Sequence, residues 1–545
     1  MLTAARTAIT VGHIMRLLKH LLLASAAGML AVGAAQAADL PTKKTPPAAA
    51  APNCYASFYS WLDSTAADCP LSLYGITLYG QVDVGGGYET HATKFDDYYP
   101  NGVNELVNKN SGNAKWQAVP NGLSQSNVGV KIKEQVVPNW YIVGDADFGF
   151  DPYSLEAADG PKSLLDNYSD KVMTNQTANG DSSRNGQWDN TRAYLGVSNT
   201  TFGTLTFGRQ YTFSNDISSA YDPFGGAYAF SLIGTSGTVE AGTGDTETAR
   251  YNTSVKYTVA YNGLRAGGIV QLGGWEQGNG AREAYQGDLG LDWGGLSVDA
   301  VYAHAEDAVK LSTWPPSGLP SGAGYGPMDL KATLADVNAG VVAAKYKWDK
   351  LTLFSGYEYA RLSTPSDLAG IFGPNANTQT SSFPPGGNPG AVYTLNGDAA
   401  VIASNAYIKP DDQQVVWLGA KYAILSNLDA AVGYYYEWQN NYTATTTASK
   451  ISEDEAYVTA CGPSANGTAY GGSVSTPNAN HSSCAGHQEA ISGMLDWRPV
   501  KRVDIYGGVM YTAVTGGFAN FSNSHYYAIA HDNNTAFTGG VRVSF

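Results

Sequence analysis

The sequence is poor in charge and contains no long apolar run. Of its 545 residues only 14% are Asp, Glu, Lys or Arg, whereas about 25% is usual in soluble proteins. Beyond residue 37 no apolar stretch approaches the ~20 residues that a membrane helix needs. The net charge of −15 argues against a nucleic-acid binder. The chain is instead rich in Gly and Tyr, with 63 and 36 residues, and this favours a β-protein whose outer surface meets something other than water.

The first 37 residues have the features of a secretory signal peptide. Arg16 and Lys19 precede an apolar segment at 21–32, and Ala35-Gln36-Ala37 offers a small-residue cleavage site. An anchoring helix is the alternative, but the apolar segment is short and no polar stop follows it. Residues 38–71 are then expected to form an N-terminal extension that begins as a Pro- and Ala-rich tether.

Cysteine is scarce, and its four residues form two local pairs. Cys54 lies near Cys69, and Cys461 lies near Cys484. An exported chain meets an oxidising compartment, so two disulfides with this pairing are expected. A zinc site built from Cys461, Cys484 and two neighbouring histidines is the alternative, although its spacing is not a standard one. No metal or other cofactor is therefore predicted.

From residue 72 onward, apolar and polar residues alternate, which is the pattern of half-buried β-strands. Leu78 and Val82, for example, share one face, whereas Tyr79 and Asp83 share the other. The alternation fits a soluble sandwich with an apolar core or an outer-membrane barrel with an apolar outer face and a wet lumen. Tyr and Trp cluster where the apolar faces end, as interface girdles do, and this favours the barrel.

The connections between the alternating stretches fall into two classes. Seven are very short and rich in turn-forming residues, namely Pro138-Asn139, 199–203, Asn262-Gly263, Gly294-Gly295, Asp349-Lys350, Ser426-Asn427 and 499–502. Eight are long and polar, at about 89–125, 151–187, 213–248, 274–286, 305–337, 361–412, 439–488 and 515–534. Fifteen connections join sixteen strands, and short turns on one rim with long loops on the other are typical of transmembrane barrels. The sequence therefore predicts an all-β fold, a 16-stranded antiparallel transmembrane β-barrel over residues 72–545, with both termini on the short-turn, periplasmic side.

Several short motifs stand in the order found in one known family. They are Leu78–Asp83, Ser126–Glu134, Asn190–Gly196, Phe202–Gln210, Asp222–Gly226, Thr248–Tyr257 and the terminal Val541–Phe545. With these motifs the chain resembles general Gram-negative porins, and it is especially similar to porins of rhizobial-type alphaproteobacteria. A cysteine pair just before the first strand is a trait of that group.

The resemblance implies an outer-membrane homotrimer of water-filled barrels for passive diffusion of small hydrophilic solutes and ions. It implies that the third long loop, about 213–248, folds inward and narrows each pore. Phe545 would end the assembly signal for the barrel-assembly machinery, and the outer face would meet lipid and lipopolysaccharide. No catalytic residue, cofactor or nucleic-acid partner is implied.

A substrate-specific channel, for example for sugars, is the alternative function. Such channels often place an aromatic track in the lumen, and strand parity directs Tyr79, Tyr194 and Tyr435 inward. A hydrolase built on a barrel is not favoured, because the sequence has no Gly-x-Ser-x-Gly elbow and no compelling pairing of Ser with His.

Family porins oppose basic residues of the wall to acids of the third loop, which creates a field across the narrowest part of the pore. Strand parity directs five basic candidates inward, namely Arg192, Arg250, Lys131, Lys133 and Lys256. The candidate loop acids are Asp216, Asp222 and Asp245. Asn127 stands where many family members have a wall arginine, and Pro223 stands where some have a loop acid. The ion preference of the family is therefore not transferred to this chain, although its acidic net charge suggests a preference for cations.

Arg209 is a separate case, because it shares the outward parity of Leu205 and Phe207. An arginine that faces lipid at mid-depth costs about 2–4 kcal/mol. The residue is therefore predicted to lie at the trimer interface.

Overall fold

The structure is a computed structural model, and it describes eighteen stretches of the chain. These are residues 54–91, 114–119, 121–150, 152–153, 155, 190–235, 250–272, 283–308, 313–314, 328–329, 335–363, 391–396, 399–404, 406–445, 468–469, 472–473, 485–516 and 533–545. The predicted signal peptide, the tether, Asp245, Cys461 and Cys484 lie outside the described residues.

Sixteen long strands form one antiparallel sheet that closes on itself. They are β1 Ile76–Glu89, β2 Asn127–Val137, β3 Trp140–Gly149, β4 Asn190–Asn199, β5 Gly203–Tyr211, β6 Arg250–Tyr261, β7 Leu264–Gln271, β8 Glu283–Trp293, β9 Leu296–Ala308, β10 Ala335–Trp348, β11 Leu351–Ser363, β12 Asp411–Leu425, β13 Leu428–Gln439, β14 Gly486–Val500, β15 Val503–Gly516 and β16 Asn533–Ser544. Each strand pairs with the next, and β16 pairs with β1 from Ser544 opposite Gln81 to Ala536 opposite Glu89. The predicted closed 16-stranded barrel is confirmed.

Shorter elements accompany the barrel. Leu71–Leu73 and Lys115–Ala118 both pair with β1. The helices are α1 Phe58–Leu62, α2 Phe213–Ala220 and α3 Leu232–Thr235, and within the described ranges no helix is long and apolar enough to cross a membrane. Four small antiparallel pairs lie in the long connections, namely Thr313–Trp314 with Met328–Asp329, Ala391–Asn396 with Ala399–Ser404, Ala406–Lys409 with Thr443–Thr445, and Thr468–Ala469 with Gly472–Ser473.

All seven predicted short turns connect neighbouring strands, and the eight long connections alternate with them. The turn residues explain why the chain reverses where it does. Asn139, Asn262 and Asp349 have φ of 67°, 49° and 51°, and Gly263 follows at 84°. These are left-handed conformations that Asn, Asp and Gly adopt most readily, and they match the twist of the flanking strands.

The two faces of the sheet differ as the alternation predicts. Outward apolar side chains are exposed, for example Leu195 at 57% and Leu289 at 69%. Inward positions carry buried polar side chains such as Asp83 and Gln286. Four tryptophans next to the short turns, Trp140, Trp293, Trp348 and Trp497, are also exposed. They form the aromatic band expected where an apolar belt meets an interface.

Residues 54–71, the described part of the predicted N-terminal extension, are closed by a disulfide and docked on the turn between β14 and β15. Cys54 and Cys69 are bonded, as predicted. The buried Arg502 donates from Nη2 to the Cys69 carbonyl at 2.7 Å, and its guanidinium lies 4.4 Å from the centre of the Trp61 ring. Residues 54–71 are thereby fixed to the short-turn rim.

The last residue completes the closing seam. The backbone N–H of Phe545 donates to the Gly80 carbonyl at 2.9 Å, and the N–H of Gly80 donates back to the Phe545 carbonyl at 3.1 Å. A Cβ at position 80 would lie 2.5 Å from Phe545 Cζ. Glycine is therefore required where the terminal ring crosses β1.

Candidate functional site

The connection between β5 and β6, residues 212–249, is called the third connection. It begins with helix α2, and the backbone N–H of Ser214 donates to Gln286 Oε1 on β8 at 3.0 Å. Asp216 lies in the first turn of the helix, where the helix dipole favours a carboxylate. Its Oδ2 lies 2.9 Å from Nζ of Lys256 on β6. Two residues predicted for the site therefore form an ion pair between the third connection and the wall.

After α2 the third connection contacts the inward faces of β9 and β12 through Tyr221. The Tyr221 hydroxyl lies 2.8 Å from Ser297 Oγ and donates to Asp299 Oδ2 at 2.6 Å. Its carbonyl accepts from Nε1 of the buried Trp417 at 3.0 Å. Lys345 on β10 donates to the carbonyl of the preceding residue, Ala220, at 3.1 Å.

Asp222 holds the next turn together, and its environment differs from the one predicted. Its Oδ2 accepts the backbone N–H groups of Phe224 and Gly226, both at 2.9 Å, and its Oδ1 accepts the hydroxyl of Tyr435 on β13. The residue is 2% exposed, and burial raises its pKa to about 6. Asp222 is therefore an anchor of the third connection rather than a carboxylate that faces water.

Pro223 and Phe230 extend these contacts to β12 and β15. A Cβ at Gly419 would lie 2.3 Å from Pro223 Cγ, so glycine is what lets the proline approach β12. Phe230 is fully buried, and its ring meets Tyr506 of β15 edge to face with centroids 6.1 Å apart. The described part of the third connection thus contacts inward residues of β8, β9, β10, β12, β13 and β15.

Arg192 and Arg250 come together around one aromatic ring. Their guanidinium carbons lie 4.9 Å and 5.0 Å from the ring centre of Tyr211. Arg192 also forms ion pairs with Asp147 at 2.8 Å and Asp145 at 3.6 Å. Both acids are nearly inaccessible, whereas the Arg192 side chain is 21% exposed. The predicted pair of wall arginines is therefore a cluster, balanced by two acids of β3 that the sequence reasoning did not single out.

The two lysines of β2 have exposed side chains that lie over tyrosines. Lys131 Nζ is 4.1 Å from the ring centre of Tyr79, and Lys133 Nζ is 5.3 Å from that of Tyr141. Cation–π contacts at exposed sites contribute about 0.5–1 kcal/mol. The Tyr79 hydroxyl donates to Asp145 Oδ1 at 2.5 Å, which links Lys131 to the arginine cluster.

Asn127 occupies the position at which an arginine is common in the resembling family. Its Nδ2 lies 2.9 Å and 3.1 Å from the two oxygens of Asp147. The amide and Arg192 therefore share one carboxylate. Asn127 therefore binds this carboxylate without contributing a charge.

A second basic centre, which the sequence did not lead us to predict, lies next to Tyr221 of the third connection. Arg265 of β7 lies 2.9 Å from Asp299 and 3.3 Å from Asp292, and it donates to the Tyr221 hydroxyl at 3.1 Å. Its position between Leu264 and Ala266 in an alternating strand was a sufficient signal for an inward arginine.

Further charged pairs line the inward faces near the short-turn rim. Arg498 lies 3.0 Å from both Asp429 and Asp496, and Lys421 lies 3.3 Å from the same Asp429. Arg542 pairs with a β15 carboxylate, Asp504, at 2.9 Å. In these pairs the arginine side chains are less exposed than the lysine, at 28% for Arg498 and 24% for Arg542 against 38% for Lys421.

Arg209 lies near the long-connection end of β5, opposite Ala193 of β4. The register with β6 shifts between Gly208 and Gln210, so the arginine sits at an irregularity two residues before the strand ends. Its outward parity agrees with the prediction, and the side chain is half-buried.

Comparisons with known proteins agree with this architecture. A family model described as Gram-negative porin matches residues 24–413. An anion-selective porin from Comamonas acidovorans is 13% identical, with a TM-score of 0.50 over 86% of this chain and 99% of that chain. OmpF of Salmonella typhi, solved with daunomycin, is 14% identical, with a TM-score of 0.43 over 86% and 97%. At 13% identity, the likeness to the Comamonas acidovorans porin concerns the fold alone. No curated protein shows significant sequence similarity to the chain.

Proposed function

Since the chain belongs to the family of Gram-negative porins, we propose that its barrel conducts small hydrophilic solutes and ions by passive diffusion and is narrowed by the third connection. Family membership and the closed barrel make it an outer-membrane channel rather than an enzyme. The observation that carries the finer proposal is the path of the third connection. Its contacts with inward residues of six strands support a segment that folds into the barrel.

The charged residues around the third connection support a lumen that is narrowed at this place. Arg192, Lys131 and Lys133 belong to one part of the wall, and Lys256 connects that wall to Asp216 of α2. The Asp216 side chain is 51% exposed, so it is the described loop acid that faces water. Fixed charges at a narrow place filter solutes by charge and dipole.

The sugar-specific alternative finds little support in the described lumen. Tyr435 is fully buried and bonded to Asp222. The Tyr79 hydroxyl is engaged by Asp145, and its ring is covered by Lys131. Of the three tyrosines proposed as an aromatic track, Tyr435 therefore has no surface for a passing sugar, and the hydroxyl of the half-buried Tyr79 is already engaged.

We expect the purified full chain to give conductance steps in planar bilayers that rise in proportion to KCl concentration. In liposome swelling, uptake of uncharged sugars should fall smoothly with solute size, because a wet lumen has no binding step to saturate. Protein that has been unfolded and not refolded serves as the control. Saturable uptake of one sugar would contradict the non-specific channel and favour the specific one.

We further propose a homotrimer with Arg209 at its interface. An outward arginine in an apolar belt needs a partner or a rim position, and Arg209 lies near the end of β5. Replacement by glutamine should lower the temperature at which trimers dissociate on unheated gels, whereas glutamine at Lys350, in a short turn, should not. Equal dissociation temperatures for wild type and Arg209→Gln would remove Arg209 from the interface.

We propose that residues 1–37 are a signal peptide and that residues 38–71 form a periplasmic extension. Lipid, lipopolysaccharide and the barrel-assembly machinery are the proposed partners of the outer face and of Phe545. The Cys54–Cys69 bond ahead of β1 supports placement with the rhizobial-type porins.

A further inference from the structure

A cavity of about 390 Å³ lies between residues 219–225 of the third connection and strands β9–β12. Three inward lysines line it, namely Lys345 and Lys347 of β10 and Lys421 of β12. Gly295, from the short turn before β9, also lines it. The cavity therefore lies on the short-turn side of the third connection.

The lysine charges in this cavity are incompletely neutralised. Lys347 is exposed and has no ion pair within the described part of the chain. Lys345 donates to a neutral acceptor, the Ala220 carbonyl. Lys421 pairs with Asp429 at 3.3 Å, but that carboxylate is also held by Arg498 at 3.0 Å.

Among the described residues, one acid lines the cavity, and it does not balance three lysines. This acid is Asp222, and both of its oxygens already accept hydrogen bonds from Phe224, Gly226 and Tyr435, so it forms no ion pair with a lysine of the cavity. Thr352 adds a hydroxyl to the lining and Phe354 an apolar surface. Ammonium groups and a hydroxyl around a concave space are suited to an oxyanion.

We propose that this cavity is a binding site for a phosphate-sized oxyanion, separate from the arginine cluster around Tyr211. The arginine cluster belongs to β4–β6, whereas the cavity belongs to β9–β12 and to the turn after α2. The proposal deepens the proposed function, on which it rests, because it names a class of solute that is retained during passage. It also departs from the cation preference suggested by the acidic net charge.

The first test is block of the KCl current by inorganic phosphate in planar bilayers. Phosphate should reduce the wild-type current in a saturable way, and Lys347→Gln and Lys421→Gln should each raise the half-blocking concentration about three- to fivefold, the range of one partly exposed charge pair. Lys350→Gln is the matched control, because it removes a lysine from the same β10–β11 hairpin but outside the cavity lining. Its half-blocking phosphate concentration should equal that of the wild type.

Two outcomes would overturn the site. In one, the half-blocking phosphate concentrations of Lys347→Gln and Lys421→Gln equal that of Lys350→Gln, whereas Arg192→Gln abolishes the block. That result would assign the anion to the arginine cluster. In the other, wild type shows no saturable block.

A second test does not depend on conduction, so it separates this site from the proposed function. Titration calorimetry of phosphate into detergent-solubilised full chain should show one saturable site that Lys347→Gln weakens and Lys350→Gln leaves unchanged. Phosphate binding without channel activity would reject the proposed function but keep the site. Channel activity without phosphate binding would reject the site alone.

Discussion

Replacing Asp222 with alanine is expected to release the third connection and to raise the single-channel conductance. The change leaves the N–H groups of Phe224 and Gly226 and the hydroxyl of Tyr435 without their acceptor in a buried place. Each unsatisfied buried group costs about 1–3 kcal/mol. The free-energy difference that favours the docked turn over a released conformation would therefore become small. Conductance in KCl and its noise measure the result.

Two further variants separate the loss of the acceptor from other effects of the substitution. Asp222→Asn keeps a carbonyl oxygen for the two N–H groups, and a neutral group is tolerated there because burial raises the pKa of Asp222 to about 6. It should therefore conduct nearly like the wild type. Gly419→Val keeps the anchor but places a Cβ 2.3 Å from Pro223 Cγ, so it should also widen the channel. A folded Asp222→Ala barrel with unchanged conductance would refute the idea that the third connection narrows the lumen.

Replacing Arg502 with alanine is expected to detach the N-terminal extension from the barrel. Arg502 donates to the carbonyls of Trp61, Thr65 and Cys69 at 3.0, 3.2 and 2.7 Å, and hydrogen bonds to a charged group contribute about 1.5–3 kcal/mol each. The side chain is 3% exposed, so water does not replace these bonds in the docked state. Limited proteolysis should then cleave within residues 54–70 while the strands stay protected.

Two neighbouring variants serve as controls for the detachment. Lys501→Ala changes the adjacent, exposed residue of the same turn and should leave the extension protected. Arg502→Lys keeps the charge but lacks the planar fork that reaches three carbonyls, so its protection should be intermediate. Equal cleavage of Arg502→Ala and Lys501→Ala would show that the Arg502 hydrogen bonds do not hold the extension on the barrel.

Much of the barrel could be predicted from the sequence because its determinants are local. Alternation assigns each strand residue to a face, and residues such as Asn139 and Asp349 mark the reversals through their own backbone preferences. The count of sixteen strands followed from the seven short turns and the eight long connections together. The Cys54–Cys69 bond could be predicted for the same reason, since the two residues are close in the chain.

The charge partners could not be predicted, because they depend on which strands and loops meet. Parity correctly directed Arg192 inward, but its pairing with Asp145 and Asp147 depends on the register of β3 and β4. Arg265 had the same inward parity, yet its importance emerges only where Tyr221 and Asp299 reach it. Lys347 and Lys421 are distant in sequence, and they line one cavity only because β10 and β12 belong to one curved wall.

Asp222 shows the same division within a single residue. That an acid stands in the third connection could be predicted, because it needs no knowledge of what surrounds the loop. Its burial against Tyr435 instead of exposure to water could not be predicted. Exposure depends on what packs against a side chain, and here the packing partner is 213 residues away in sequence.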